Sequence, residues 1–126
     1  MLILVFDRYG ANIAALNYDP LLPRYLRITD IDDQGNLIVH NAKSINLADV
    51  KNCYLEKGDI VFARTGNTVG KTYLHRSNEV IAYASYLIHF RSNQKIILPE
   101  YLFLFTQSNK YKAWVKKIYE KEHYLI

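Results

Sequence analysis

The sequence predicts an α+β fold, in which a twisted, mostly antiparallel sheet of short strands packs against a C-terminal amphipathic helix. The 126 residues are 50% hydrophobic, which is enough for the core of one domain. Short β-prone stretches separated by turns occupy the chain up to residue 91, with no long helical pattern between them. Helical periodicity begins only at Pro99.

The strand predictions rest on apolar runs or period-two patterns that are bounded by turn residues. Strands are expected at residues 1–6, 25–31, 37–40, 60–63, 72–75 and 80–91. A turn with two prolines separates the first two, and residues 32–36 form the turn of a hairpin. One short helical turn is expected at residues 46–52. The connections are too short for a doubly wound parallel sheet.

The last part of the chain has the pattern of one amphipathic helix over residues 99–121. Proline suits the first helical position. The apolar residues that recur at helical spacing, and that we expect to pack on the sheet, are Leu102, Phe105, Tyr111, Trp114, Val115 and Ile118. The opposite side is rich in lysine, which is typical of a solvated face, with contact to DNA phosphate as the alternative.

Composition narrows the function classes. The formal charge of +4, from 16 basic and 12 acidic residues, permits nucleic-acid binding without requiring it. Eleven tyrosines suit a recognition surface, although most of these rings are expected to fill the core. One cysteine and four histidines without ligand spacing predict neither a disulfide nor a zinc site. No signal peptide or membrane span is predicted, and we expect a cytoplasmic protein.

Residues 64–72, with the sequence RTGNTVGKT, resemble a phosphate-binding P-loop only superficially. That loop needs four residues between its glycines, whereas Gly66 and Gly70 are separated by three. A P-loop also leads into a helix, and the residues after Lys71 are poor helix formers. Nucleotide hydrolysis is therefore not expected.

The same stretch has the chemistry of a DNA-reading loop. Glycines allow a sharp turn and a close approach to a partner. Arg64 can fork onto guanine, Asn67 can pair with adenine, and Lys71 suits phosphate. An ordinary glycine hairpin with polar residues at its tip remains an equal alternative.

Several segments together resemble the target-recognition domain of type I restriction–modification specificity subunits. The matching stretches are RYGANIAA at 8–15, PRYLRITDI at 23–31, GDIVFARTGNTVGKT at 58–72, ASYLIHFR at 84–91, LPEYL at 98–102 and TQSNKY at 106–111. The resemblance covers roughly residues 8–115, and we interpret residues 1–126 as one recognition domain.

The resemblance implies a twisted sheet that lies in the DNA major groove and reads one half of a two-part target. A full subunit has two such domains joined by long helices that dock a methyltransferase, and both the second domain and these spacer helices are absent from this sequence. We therefore expect either a truncated piece or a half subunit that pairs with another copy. Methyl transfer from S-adenosylmethionine to adenine and ATP hydrolysis belong to the methyltransferase and motor subunits, so no cofactor and no catalysis are expected here.

Three hypotheses follow. In the first, the chain is a DNA-binding module, with Arg64 and Asn67 as base readers and Lys71 and Arg8 as phosphate contacts. The complete set of predicted contact residues is Arg8, Tyr9, Asn12, Arg64, Thr65, Asn67, Thr68, Lys71, Tyr83, Ser85 and Tyr86. In the second, a truncated half subunit forms a homodimer or docks a methyltransferase without reading DNA. In the third, the chain is an enzyme, for which the sequence offers neither paired carboxylates nor a nucleophile with its base.

Overall fold

A computed structural model describes residues 4–50, 52–64 and 70–122, and this part of the chain forms two small sheets followed by two helices. The strands are β1 (Leu4–Tyr9), β2 (Leu16–Asn17), β3 (Arg24–Leu26), β4 (Lys43–Ser44), β5 (Tyr54–Leu55), β6 (Ile60–Ala63), β7 (Thr72–Leu74), β8 (Ile81–Tyr83) and β9 (Leu87–Ser92). Short 3-10 turns lie at Ile28–Asp30 and Leu47–Asp49. The helices are α1 (Pro99–Thr106) and α2 (Asn109–Glu122).

The predicted α+β class is confirmed, and the strands divide between two sheets. The first sheet has the order β1-β9-β6-β7 and is antiparallel throughout. The second has the order β2-β4-β3-β8-β5, in which only the β3–β8 pair is parallel. The chain passes from the second sheet to the first between β8 and β9, so the β-prone stretch at 80–91 forms two strands rather than one.

The main core lies between the two sheets. Its buried members come from both: Leu26, Ile31, Leu55, Val61, Ala63, Tyr73, Ile81, Tyr83 and Leu87. A second cluster, on the β3 and β8 side, includes Tyr25, Ile45 and Ala82. A third joins Ile60 and Leu74 to Phe103, and it packs α1 on the first sheet. Burial of these apolar side chains is the main stabilising term of the fold.

The strand predicted for residues 25–31 is wrong beyond Leu26. The buried Asp30 carboxylate accepts hydrogen bonds from the Arg27 amide at 2.8 Å and from the Arg27 guanidinium at 2.8 and 3.0 Å. These local bonds turn the backbone into a 3-10 helix, since side chains that bond nearby amides compete with strand pairing. The return strand predicted at 37–40 is correspondingly reduced to a single bridge between Ile31 and Leu37.

The single helix predicted over residues 99–121 is also wrong, because the chain breaks between α1 and α2. The Ser108 hydroxyl accepts a hydrogen bond from the Tyr111 amide at 3.1 Å and so begins a new helix. Thr106 and Gln107 at the end of α1 both lie within hydrogen-bond distance of the Thr72 hydroxyl, at 2.7 and 2.8 Å. The end of α1 is thus fixed to β7.

The break changes which helical side chains are buried. Phe103, Thr106 and Val115 are buried, whereas the predicted stripe members Phe105 and Trp114 are half exposed. Among the residues that the structure describes, neither helix combines the length and apolarity needed to cross a lipid bilayer.

A buried polar network connects the two sheets. Asp59, at the start of β6, pairs with the Arg91 guanidinium of β9 at 2.8 and 3.0 Å. The Nε2 atom of His89 lies 2.6 Å from the same carboxylate. Its Nδ1 atom lies 3.1 Å from the hydroxyl of Tyr83, on β8 of the other sheet. Asp59, His89 and Tyr83 are all fully buried. Hydrogen bonds and ion pairs are electrostatically stronger in such an environment than in water.

The pKa of Asp59 records these contacts. Burial by itself raises the pKa of this carboxyl group, but interactions with His89, Arg91 and the amide of Glu56 outweigh burial and lower it to about 2. A folded pKa below the unfolded value means that the ionised carboxylate stabilises the fold above the unfolded pKa of 3.8, and that this stabilisation is lost as the pH falls towards 2.

We expect Asp59→Asn to lower the free energy of unfolding at pH 7 by about 3 kcal/mol, because it removes the buried carboxylate that pairs with Arg91 and contacts His89. In wild type, denaturant titrations from pH 5 to pH 2 should show a loss on the order of 2 kcal/mol that is missing in the variant. The exposed Asp49→Asn change is the control and should follow the wild-type curve. An unchanged acid dependence in Asp59→Asn would contradict the assignment.

Candidate nucleic-acid interface

Three loop segments meet at one end of the sheets. The segment after β1 lies against the β8–β9 turn, because the Gly10 amide donates to the Leu87 carbonyl at 3.1 Å and the Ala11 amide to the Tyr83 carbonyl at 2.9 Å. The residue after β6 joins the same turn, since the Arg64 amide donates to the Tyr86 carbonyl at 3.2 Å. The structure thus brings together parts of all three predicted contact segments.

Arg64 lies along the β8–β9 turn. Its Nε group donates to the Ser85 carbonyl at 3.4 Å, and its guanidinium carbon is 5.8 Å from the centre of the Tyr86 ring. Tyr86 is half exposed and Ser85 is partly exposed. A cation beside an aromatic face is stabilised by the ring quadrupole. The pair therefore presents an oriented guanidinium and an aromatic ring at the surface.

The base of the β6–β7 loop is closed by backbone hydrogen bonds. The Gly70 amide donates to the Ala63 carbonyl at 3.0 Å, and the Ala63 amide donates to the Lys71 carbonyl at 2.9 Å. Gly70 has a φ of +88°, and a Cβ atom there would lie 2.8 Å from a methyl group of Val115 on α2. The sharp turn expected at this glycine is present. The predicted contacts Thr65, Asn67 and Thr68 lie outside the described residues.

Lys71 points towards the turn after the first 3-10 helix. Its ammonium group lies 3.2 Å from the Ile31 carbonyl and 3.5 Å from the Asp33 carboxylate. Asp33 is 81% exposed, and an ion pair so open to water contributes little stability. A DNA phosphate can therefore compete with Asp33 for this lysine at small energetic cost.

The side chain of Tyr83 is completely buried and its hydroxyl lies against His89, so the direct contact predicted for it is incompatible with this position. β8 lies between β3 and β5 and its three residues are all buried, so Tyr83 lies in the core. Tyr83 instead supports the turn that carries Ser85 and Tyr86. Arg8 and Tyr9 belong to β1, but their side chains lie outside the described part of the chain, and Asn12 is exposed beside the turn.

Sequence reasoning missed Tyr25, which sets the path of the first loop. Its hydroxyl lies 2.9 Å from the Ala11 carbonyl and 2.8 Å from the Ile13 carbonyl. Burial raises the pKa of Tyr25, which keeps the hydroxyl protonated as a donor. The sequence shows Tyr25 only as one residue of the alternating run at 25–31. Its hydrogen-bond partners, Ala11 and Ile13, are 14 and 12 residues away in sequence, so no local pattern indicates the contact.

The polar groups at this end are suited to binding a ligand. They offer guanidinium and ammonium donors, hydroxyl groups and an aromatic ring. Within residues 4–50, 52–64 and 70–122, no three His, Cys, Asp or Glu side chains converge closely enough to hold a metal ion.

Comparisons with known proteins support the fold. No family model matches the chain, and no curated protein matches its sequence. One similar solved structure, described as the structural basis of complex assembly and conformational transition of the type I R-M system, has a TM-score of 0.56 and 19% identity over 85% of this chain. Another, the HsdS subunit from Thermoanaerobacter tengcongensis, has a TM-score of 0.55 and 19% identity over 82% of this chain.

This chain spans only 30% of the length of each of those two protein chains. It therefore has the fold of one unit within an HsdS specificity subunit. The resemblance inferred from the sequence motifs is confirmed at the level of the fold.

The close contact between the segment after β1 and the β8–β9 turn requires glycine at position 10. A Cβ atom at this position would lie 2.0 Å from the Ala84 carbonyl oxygen, and the obstruction is backbone that cannot move aside. We expect Gly10→Ala to lower the free energy of unfolding by about 1–3 kcal/mol, as overpacking does elsewhere. Ala15→Val adds bulk to an exposed position of the same loop and should change little. Equal denaturation midpoints for both variants would rule out this close contact.

Proposed function

We propose that this domain recognises DNA sequence for a type I restriction–modification system and reads one half of a two-part target. The fold shared with an HsdS subunit supports the specificity role. The observation that carries the proposal is the Arg64 guanidinium held between the Ser85 carbonyl and the Tyr86 ring, at the surface where three loops meet. Recognition residues are typically carried on loops that a rigid scaffold positions.

Base reading is proposed for Arg64 and Asn67. An arginine whose guanidinium plane is fixed can present two parallel N–H groups to guanine O6 and N7 in the major groove. The contact to Ser85 and the adjacent Tyr86 ring supply that orientation and reduce the entropy lost on binding. An asparagine in the same loop can pair with adenine.

Phosphate contacts are proposed for Lys71 and Arg8, with Tyr9, Asn12, Thr65, Thr68, Ser85 and Tyr86 as further contacts around them. Phosphate contacts fix the register of a protein on the duplex without carrying sequence information. Tyr83 supports these residues from the core.

In this proposal the domain binds and does not catalyse. Double-stranded DNA is its direct ligand, and an adenine methyltransferase subunit and a motor subunit are its protein partners. S-adenosylmethionine and ATP would be used by those partners, so the domain itself needs no cofactor. A cytoplasmic location follows from the same assignment.

Selection of duplexes from a randomised pool identifies the DNA sequence that the wild-type domain prefers. Arg64→Ala should weaken binding to that sequence by about 1–3 kcal/mol and should remove the preference at one base position. Arg76→Ala is the matched control. Arg76 follows β7 at the opposite end of the first sheet, because β6 and β7 are antiparallel with Ile60 beside Leu74. The role of Arg64 would be overturned if both variants kept the DNA affinity and the base preference of the wild type.

Lys71→Ala should weaken binding to every duplex alike. The loss of one phosphate contact reduces the slope of log K against log salt by about 0.9. Lys57→Ala, just before β6 and therefore at the far end from Arg64, should keep the wild-type slope. Binding isotherms by fluorescence anisotropy at several salt concentrations measure the slopes. A sequence-selective loss in Lys71→Ala would mean that this residue reads bases.

A further inference from the structure

The two C-terminal helices expose a group of large apolar side chains. The exposed fractions are 67% for Tyr101, 65% for Leu104, 50% for Phe105 and 54% for Trp114. We call these four residues the α1–α2 face. Contiguous apolar surface of this kind on a small domain marks interaction sites.

The face is continuous across the break between the helices. Tyr101, Leu104 and Phe105 are three and four residues apart and therefore share one side of α1. The ring of Tyr111 bridges to α2, because its centre lies 5.3 Å from the Phe105 ring and 6.0 Å from the Trp114 ring. Tyr111 also contacts the buried Phe62 of β6 at 6.1 Å. The rings are thus anchored to the sheet, and a partner would meet a surface that is already ordered.

Positive charge borders the α2 part of this face, whereas the exposed Glu100 lies four residues before Leu104 on α1. Lys110 and Lys117 lie four residues before and three residues after Trp114, on the same side of α2, and both are exposed. Lys112, whose ammonium group donates to the Asp33 carbonyl at 3.1 Å, and Lys116 lie on other sides of α2, and no acidic residue lies between residues 109 and 117. The complementary partner therefore combines apolar anchors with carboxylates.

The same charge argues against other occupants. A second copy of the chain would place its own lysines opposite these lysines, and like charges across an interface cost several kcal/mol. DNA phosphates would satisfy the lysines but would leave Leu104 and Phe105 in water, with no gain from the apolar surface.

We propose that the α1–α2 face binds an acidic amphipathic helix of a partner protein. Such a helix places apolar residues at positions i, i+3, i+4 and i+7 against the exposed rings, and its glutamates lie beside Lys110 and Lys117. This contact is separate from the proposed reading of DNA by Arg64. It holds whether or not the domain reads DNA.

Trp114 is the single tryptophan of the chain, so its emission reports directly on this face. The probe is a tryptophan-free helical peptide of about 18 residues with leucines at the anchor spacing and glutamates elsewhere. Titration into the 126-residue protein should shift the Trp114 emission to the blue and saturate. The same peptide with lysine in place of glutamate should bind at least about tenfold more weakly.

Two sets of variants separate the apolar and charged contributions. Leu104→Gln should weaken binding of the glutamate peptide by at least about tenfold. Leu21→Gln is the matched control, because Leu21 is 91% exposed elsewhere on the surface, and it should bind as wild type does. The double variant Lys110→Glu with Lys117→Glu should prefer the lysine peptide. All of these positions are exposed, and circular dichroism confirms folding.

Other outcomes overturn the proposal. Equal affinity for the two peptides, or no effect of Leu104→Gln, removes the acidic helix as the partner. Concentration-dependent dimerisation that shifts Trp114 in the absence of peptide assigns the face to a second copy. A shift caused instead by phosphatidylglycerol vesicles or duplex DNA, with no peptide response, assigns it to a membrane or to nucleic acid. A failure of DNA binding with peptide binding intact would count only against the proposed function.

Discussion

The buried contact between Asp59, His89 and Arg91 is the constraint on which the rest of the fold depends. Asp59 immediately precedes β6, His89 and Arg91 lie on β9, and the Nδ1 atom of His89 lies beside the hydroxyl of Tyr83 on β8. One carboxylate therefore fixes the first sheet internally and, through His89, connects it to the second. Because all four residues of β6 are buried, its apolar pattern alone does not distinguish the two faces of the strand, whereas these directional contacts favour one alignment of β6 on β9.

That alignment determines the candidate interface. With Asp59 bound to Arg91 at one end of the pair, Ala63 falls opposite Leu87 at the other end. The next residue, Arg64, is then placed beside Tyr86. A slip by one residue would direct the guanidinium to the other side of the sheet, since side chains alternate between faces. The positions of Arg64 and Tyr86 thus depend on the ion pair that the buried Asp59 carboxylate forms at the far end of the same two strands.

The sequence predicted the features that depend on local pattern: the α+β class, β6 and β7, and the sharp turn at Gly70. It failed where side chains act on backbone or on distant partners. Asp30 converts a period-two run into a 3-10 helix, and Ser108 begins a second helix inside one amphipathic pattern. The burial of Tyr83 follows from the position of β8 between β3 and β5, which no spacing in the sequence reveals.

The two proposed surfaces meet at α2. Val115 packs against Gly70 at the base of the β6–β7 loop, while the preceding residue, Trp114, belongs to the exposed face. A partner that binds Trp114 therefore contacts the same helix that supports Gly70. If binding at one surface changes the affinity of the other surface for its ligand, linkage requires the change to be reciprocal. Recognition and assembly would thereby be coupled through a single helix.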